Sequence, residues 1–361
     1  MPISKIACDH YRIPLPVTLS DSTHGDMTHF DLVTVRITDA DGVEGVGYTY
    51  TVGSGARAIR SLIVDDLAPL LQGADETAIE ALWQRMWWNL HFVGRGGLAA
   101  FSIAAIDIAL WDLKARKAGQ PLWRLLGGHD AKVRAYAGGI DLQFPLEQLL
   151  DQTRDNLAKG FRAIKMKIGR DRLSEDVARV AAMRELLGED FPLMADANMR
   201  WTADQAVEAA LALADLRLYW LEEPMVPEDV AGHARLRQLS PVPIATGENF
   251  HSLTEFQTMI EAGGVSFPEP DVATCGGVTV WMKVAKLAES YHLPVTSHGV
   301  HDLHVHLLAA VPNASFLEVH GFGLETYMAE PLTVSEGLAT APDRLGHGVA
   351  LDWDRLAALQ A

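Results

Sequence analysis

Residues 192–224 read PLMADANMRWTADQAVEAALALADLRLYWLEEP, and the order of patterns inside this stretch decides the fold class. Pro192 to Ala197 is a short apolar run that gives out at Asp196-Ala197-Asn198. Thr202 then stands where a helix N-cap belongs, ahead of the helical run Ala206 to Leu213. A second apolar run, Leu218 to Glu222, gives out at Glu222-Glu223-Pro224. The unit is strand, helix, strand, with acidic residues at the end of each strand.

The same rhythm extends in both directions. Between about Val133 and Gly321 the candidate strands are Val133 to Ile140, Ala163 to Ile168, Pro192 to Ala197, Leu218 to Glu222, Pro243 to Gly247, Ser266 to Pro270, Pro294 to Ser297 and Phe316 to Val319. Pro145 can begin one intervening helix and Gly160 can end it. Eight such units in series predict an α/β protein with a (β/α)8-type barrel, although an open doubly wound sheet shows the same local pattern. Earlier residues have a different texture. Leu32 to Ile37 and Val43 to Tyr50 are rich in Val, Thr and Tyr, and Asp41-Gly42 between them signals a hairpin. Three helical stretches follow, Ala56 to Leu71, Glu76 to Leu90 and Leu98 to Ala118. The predicted division is an α+β domain at 1–125, the barrel at 126–325, and a tail at 326–361 that returns to the first domain.

Composition narrows the function classes. A net charge of −17 with only 30 Lys and Arg disfavours nucleic acid, which needs a concentrated positive field. Two cysteines, Cys8 and Cys275, provide no disulfide framework, so the cytoplasm is the expected compartment. The N-terminal residues have no signal-peptide apolar core, and Leu98 to Trp111 is too short to span a bilayer.

Barrel enzymes work at the carboxyl ends of their strands, and the polar residues expected there are concentrated. They are Lys165 and Lys167, Asp196 and Asn198, Glu222-Glu223, Glu248, Asp271, His298 and Glu318. Alternation along a strand puts Lys165 and Lys167 on one face, and Asp196 and Asn198 on another. Asp196, one of the Glu222-Glu223 pair, and Glu248 would repel one another unless a cation lay between them, and oxygen donors favour Mg²⁺ over Zn²⁺. A metal beside a carboxylate substrate stabilises the enolate left when its α proton is removed. Lys167 is the expected base, its pKa lowered by Lys165 and the cation. Asp271 is placed to orient His298, and a protonated Glu318 to donate a hydrogen bond to the enolate.

Taken together, Lys165-Met-Lys167, Asp196-Ala-Asn198, Leu-Glu222-Glu-Pro, Thr-Gly-Glu248, Asp271, Ser-His298 and Leu-Glu318 resemble the enolase superfamily, mandelate racemase subgroup. The resemblance covers nearly the whole chain and implies a cap built from the first domain and the tail. It also implies Mg²⁺ held by Asp196, Glu222 and Glu248, which selects Glu222 over Glu223. Opposed bases would be Lys167 and the His298–Asp271 dyad, with Glu318 as electrophilic catalyst and a symmetric homo-oligomer as the assembly. Within the subgroup, Ser20-Asp21, Gly42 to Gly47, Val93 to Gly97 and Asp107 to Asp112 are similar to galactarate and talarate dehydratases. His24-Gly-Asp26, Gly47 to Thr51 and Gly138 to Phe144 look more like anhydrogalactonate cycloisomerases. The expected reaction is dehydration of a sugar acid to a 2-keto-3-deoxy acid. The alternatives are a cycloisomerase opening an anhydro sugar acid and a racemase or epimerase. Ser20 to His29 holds no Lys or Arg, which favours a substrate without a second carboxylate.

Single residues have plainer readings. A lone strand-end carboxylate is more often a cap, a lone lysine a surface charge, and a lone histidine a bond to a backbone carbonyl. Only the set argues for catalysis. His301, His304 and His306 are not spaced to put three rings on one helix face, which disfavours zinc. His301 is expected to touch substrate instead, as are Asn198 and His24.

Overall fold

In the computed structural model, which describes residues 1–361, the first 51 residues form three antiparallel strands. They are β1 (Ile3–Asp21), β2 (Gly25–Asp39) and β3 (Glu44–Thr51), with the last two joined at the expected Asp41-Gly42 turn. The helix Leu98–Lys117 lies across this sheet and is buried on nearly every side, which its largely apolar sequence requires. Gly45 and Gly47 permit the contact. A Cβ on either would lie 2.2 Å from the carbonyl oxygen of Ala109 or 2.1 Å from that of Ala105. No helix is long and apolar enough to cross a membrane.

The second part is a parallel sheet of β4 (Lys132–Gly138), β5 (Ile164–Lys167), β6 (Leu193–Asp196), β7 (Leu221–Glu222), β8 (Ile244–Thr246), β9 (Phe267–Pro268) and β10 (Leu317–His320). Neighbours pair in chain order from β4 to β9, and β10 pairs with β4 from the other side. Helices between them start and stop where the sequence signals lie. Thr202 and Gln205 form a reciprocal capping box at the head of Ala203–Ala212, and Pro145 immediately precedes Leu146–Ala158.

One expected strand is missing. Pro294 to Ser297 forms no ladder, so the sheet does not close on itself by continuous pairing. The segment still occupies the gap, because Thr296 N–H donates to the Pro268 carbonyl at 3.0 Å and Ser315 N–H to the Val295 carbonyl at 2.8 Å. Pro294 has no N–H to give, which shortens what the segment can pair.

The tail divides between the two parts instead of returning wholly to the first. β11 (Val334–Ser335) and β12 (Leu338–Thr340) form a hairpin antiparallel to β4. Later residues reach the cap: Leu122 N–H donates to the Gly346 carbonyl at 2.7 Å, and Arg12 N–H to the Leu359 carbonyl at 3.0 Å.

Candidate active site

Parallel register brings the strand-end residues together. Lys167 on β5 pairs with Asp196 on β6, and Asp196 pairs with Glu222 on β7. Glu248 follows β8 by two residues. Carboxylate oxygens of Asp196, Glu222 and Glu248 lie within 4.8 Å of one another, so three acids from successive strands converge. Glu223 turns away through a left-handed backbone, φ +38°, and accepts a hydrogen bond from Asn249 Nδ2 at 2.8 Å.

Both lysines face this set. Lys167 Nζ lies 2.5 Å from Asp196 Oδ2, while Lys165 Nζ pairs with Glu222 and lies 2.8 Å from Glu318 Oε1. Lys165 and Lys167 are almost fully buried, as are Asp196 and Glu222. Burial pushes Glu222 up to about 8; Lys165 opposes the shift, whereas Asp196 and Glu248 reinforce it. Burial pulls Lys167 down, but the Asp196 carboxylate outweighs it and holds the ammonium charged. The lowered pKa expected for Lys167 is therefore not seen beside the Asp196 carboxylate.

Across the cavity, His298 Nδ1 meets Asp271 Oδ2 at 3.1 Å, and its Nε2 is 3.3 Å from Glu248 Oε2. Burial works against the imidazolium, but Glu248, Glu318 and Asp271 together raise His298 to about 10. Glu318 departs from expectation. Burial favours its protonated form, yet Lys165 and His298 hold it well below the usual carboxylate range. It also accepts the Gly299 N–H at 2.8 Å. These ion pairs favour its carboxylate over the protonated donor expected.

A cavity of about 360 Å³ opens over these groups and is lined by Lys167, Asn198, Glu248, His298, His24 and Tyr50, among others. Asn198 Oδ1 is buried without a hydrogen-bond partner, so it can receive one from a ligand. His24 comes from the cap, held by Asp21 Oδ2 at 2.8 Å, and this hydrogen bond raises its pKa. Its loop is latched to the end of β6: Ser22 Oγ donates to the Ala197 carbonyl at 2.7 Å, and Thr23 Oγ1 donates to that of Asn198. A more open basin of about 600 Å³ adjoins the cavity and shares His24, Met27, Val52 and Ser54, but none of the strand-end acids lines it.

His301 is not among the residues lining the cavity. It sits beside Asp302, 3.4 Å from Nε2 to Oδ2, and its Nδ1 accepts the His320 N–H at 3.4 Å. His320 lines the cavity instead, edge to face with His298 at 5.3 Å. It is two residues beyond Glu318 on one strand and so shares its face, a signal available to sequence reading. Tyr50 was also missed; its hydroxyl donates to Asp271 Oδ2 at 2.7 Å. Neither His304 nor His306 has a ring nitrogen free for zinc. His304 Nε2 accepts the Val272 N–H and its Nδ1–H donates to the Gly299 carbonyl. His306 Nδ1 accepts the Trp123 N–H and its Nε2–H donates to the His347 carbonyl.

Known proteins share this architecture along the whole chain. A 3,6-anhydro-alpha-L-galactonate cycloisomerase of Streptomyces coelicolor is 55% identical over 357 residues, 99% of each chain. An L-talarate/galactarate dehydratase of Salmonella typhimurium is 35% identical over 94% of this chain and 86% of its own. The crystal structure of a racemase from Streptomyces coelicolor A3(2) with bound magnesium superposes with a TM-score of 0.98, at 54% identity, over 99% of this chain and 100% of that one. Residues 4–127 match the mandelate racemase/muconate lactonizing enzyme N-terminal domain, and residues 148–355 the enolase C-terminal domain-like family. The chain thus belongs to the mandelate racemase/muconate lactonizing enzyme family, within the mandelate racemase subgroup of the enolase superfamily.

Proposed function

We propose that the chain is a Mg²⁺-dependent enzyme that removes the α proton of a sugar acid and expels the β oxygen, with a 3,6-anhydro sugar acid as its substrate. The observation that carries this reading is the convergence of Asp196, Glu222 and Glu248 between Lys167 and His298. The donor set fits the ion. All three ligands are hard oxygens, Glu248 Oε2 is buried with no hydrogen bond beyond its ion-pair contact with His298, and burial, reinforced by the charges of Asp196 and Glu248, raises Glu222 toward neutrality. When bound, the cation supplies positive charge beside the substrate carboxylate oxygens, where negative charge develops as the proton leaves.

The chain's own residues supply the rest. Lys167 is the proposed base, since relief of its pairing with Asp196 removes the interaction that keeps its proton. His298, protonated and oriented by Asp271, is the proposed acid. The α C–H electron pair becomes a carbon–carbon double bond as the β C–O bond breaks, and the departing oxygen takes the His298 proton. The enol then tautomerises to a 2-keto acid. Lys165 and Glu318 form the buried pair that steadies the carboxylate end of the site, and Asn198 and His24 are the proposed substrate contacts.

Dehydration is the second reading, because the same first step serves a free β hydroxyl. The 55% likeness to a cycloisomerase, against 35% to a dehydratase, and the absence of Lys and Arg from Ser20 to His29 favour ring opening. Incubation with 3,6-anhydro-L-galactonate, galactarate and MgCl2, followed by mass spectrometry, separates them. Ring opening yields an isomer of the anhydro acid; dehydration yields a product lighter by one water. Turnover of neither acid would remove the reading.

The fold proposed with this function is the modified barrel under a cap, divided near residues 125 and 325. A symmetric homo-oligomer is proposed as well: Phe92 and Trp88 expose 91% and 60% of their surface, an apolar patch that a second copy could cover. Light scattering tests it. Cys8 and Cys275 are free and buried, in keeping with a cytoplasmic protein.

A further inference from the structure

The His298–Asp271 pair is held by a side chain from the other domain. Tyr50 lies on β3, 221 residues before Asp271, and its hydroxyl is 2.7 Å from Asp271 Oδ2 and 3.3 Å from His298 Nδ1. His298 Nδ1 meets that same oxygen at 3.1 Å. A tyrosine hydroxyl has one proton, and the shorter contact to an ionised acceptor takes it. His298 Nδ1–H is then the second donor to Oδ2, which turns Nε2 toward Glu248 and the cavity.

Asp271 Oδ1 is occupied too, by the Ala273 N–H at 2.8 Å. The Ala273 carbonyl in turn accepts from Thr49 Oγ1 at 2.7 Å. Two consecutive residues of a cap strand therefore bracket residues 271–273. Gly299 makes the room. Its backbone is left-handed, φ +65°, and a Cβ there would lie 2.6 Å from the Tyr50 hydroxyl and 2.8 Å from Asp271 Oδ2.

We propose that Tyr50 is a positioning residue for the His298–Asp271 pair, fixing the carboxylate so that the imidazole keeps one orientation only while the cap is docked. The proposal rests on the assignment of His298 as the acid. Without the hydroxyl, Asp271 Oδ2 is held by His298 alone, and ring and carboxylate can turn together. The effect should therefore appear on the His298 side of the substrate and not on the Lys167 side.

The test uses the full chain with MgCl2, 3,6-anhydro-L-galactonate as the probe, and the variants Tyr50→Phe, His298→Asn and the double. Tyr50→Phe should lower kcat by about tenfold or more, with KM nearly constant. In the His298→Asn background, Lys167-driven exchange of the α proton in deuterated water should be no slower when Tyr50→Phe is added. Thr49→Val removes the neighbouring latch without touching the pair; it should lower the melting temperature and keep kcat. Equal slowing in both backgrounds, a similar kcat loss in Thr49→Val, or full kcat in Tyr50→Phe would each overturn the proposal. The nitrogen-15 spectrum of the His298 ring needs no substrate. A sharp bonded Nδ1–H in the parent that broadens in Tyr50→Phe supports the proposal, and an unchanged spectrum overturns it even if no sugar acid is turned over. Wild-type turnover in His298→Asn would instead remove the role of His298, and this proposal with it.

Discussion

Replacing Asp107 with Asn should make the protein more stable at alkaline pH and leave it almost unchanged in acid. Asp107 lies on the buried cap helix Leu98–Lys117 and touches the barrel helix Val278–Ser290. Its carboxylate accepts the Thr279 N–H at 2.9 Å and the Thr279 hydroxyl at 2.6 Å, with no cation bonded to it. Burial dominates and pushes its pKa from 3.8 up to about 7. The folded protein therefore holds a proton that the unfolded chain releases, and stability falls as pH rises from 3.8 through 7. Above that window the charged form costs on the order of 4 kcal/mol relative to a neutral isostere. An Asn keeps the acceptor for the Thr279 N–H, and its amide can donate to Thr279 Oγ1, which already accepts from Trp111 Nε1. Between pH 5 and pH 8 the variant should gain about 3 kcal/mol over the parent, or roughly 4 °C in melting temperature for a chain of this length. Thermal melts of both proteins across that range measure it. A parent that gains on the variant as pH rises would show that Asp107 is stabilised as a carboxylate, and the reasoning would fail.

Addition of MgCl2 to about a hundred times its dissociation constant should stabilise the fold by about 2.7 kcal/mol, a rise of about 3–4 °C. Asp196→Asn should abolish most of that rise, and an equal rise in the variant would place the ion elsewhere. Lys167→Ala and His298→Ala should each cut turnover by about 10²–10⁴ while circular dichroism stays unchanged; full activity in both would refute the assigned roles. Burial lowers the pKa of His304 from 6.5 to about 4, and its Nε2, which accepts the Val272 N–H, stays unprotonated. Its contribution is present above 6.5 and lost as pH falls through 4, on the order of 3 kcal/mol. Urea midpoints at pH 7 and pH 4.5 should diverge less in His304→Phe than in the parent.

Much of the fold is legible because parallel strands buried on both faces must be short apolar runs, and the helices between them need caps. Thr202 with Gln205 and Pro145 show this at single residues. The convergence of the strand-end acids is legible for a related reason. A strand that is apolar throughout and then ends in Asp196, Glu222 or Gly-Glu248 has nowhere to send those acids except the mouth of the sheet. What escapes is whatever depends on contacts between segments far apart in the chain. β1 carries Lys5, Asp9, Arg12, Pro14 and Pro16, so no local period marks it, and pairing with β2 makes it a strand. Pro294 to Ser297 has the period of a strand and not the ladder, because its neighbours offer only isolated partners.

Protonation states are the least legible feature, and Glu318 shows why. From sequence, an acid among acids should keep its proton, and burial alone would have that effect. In the fold, Lys165 Nζ stands 2.8 Å away and the Gly299 N–H points at the other oxygen, so the ionised form wins. Lys167 follows the same rule in reverse: Asp196, its register partner, supplies the charge that keeps its proton. The strand-end acids and the two lysines are thus one electrostatic unit, in which each residue's charge depends on whether a cation takes the lysines' place beside the carboxylates. The proposed base at position 167 and the proposed metal at Asp196 are consequently not two independent features of the site. Occupancy of the second is the condition for the first.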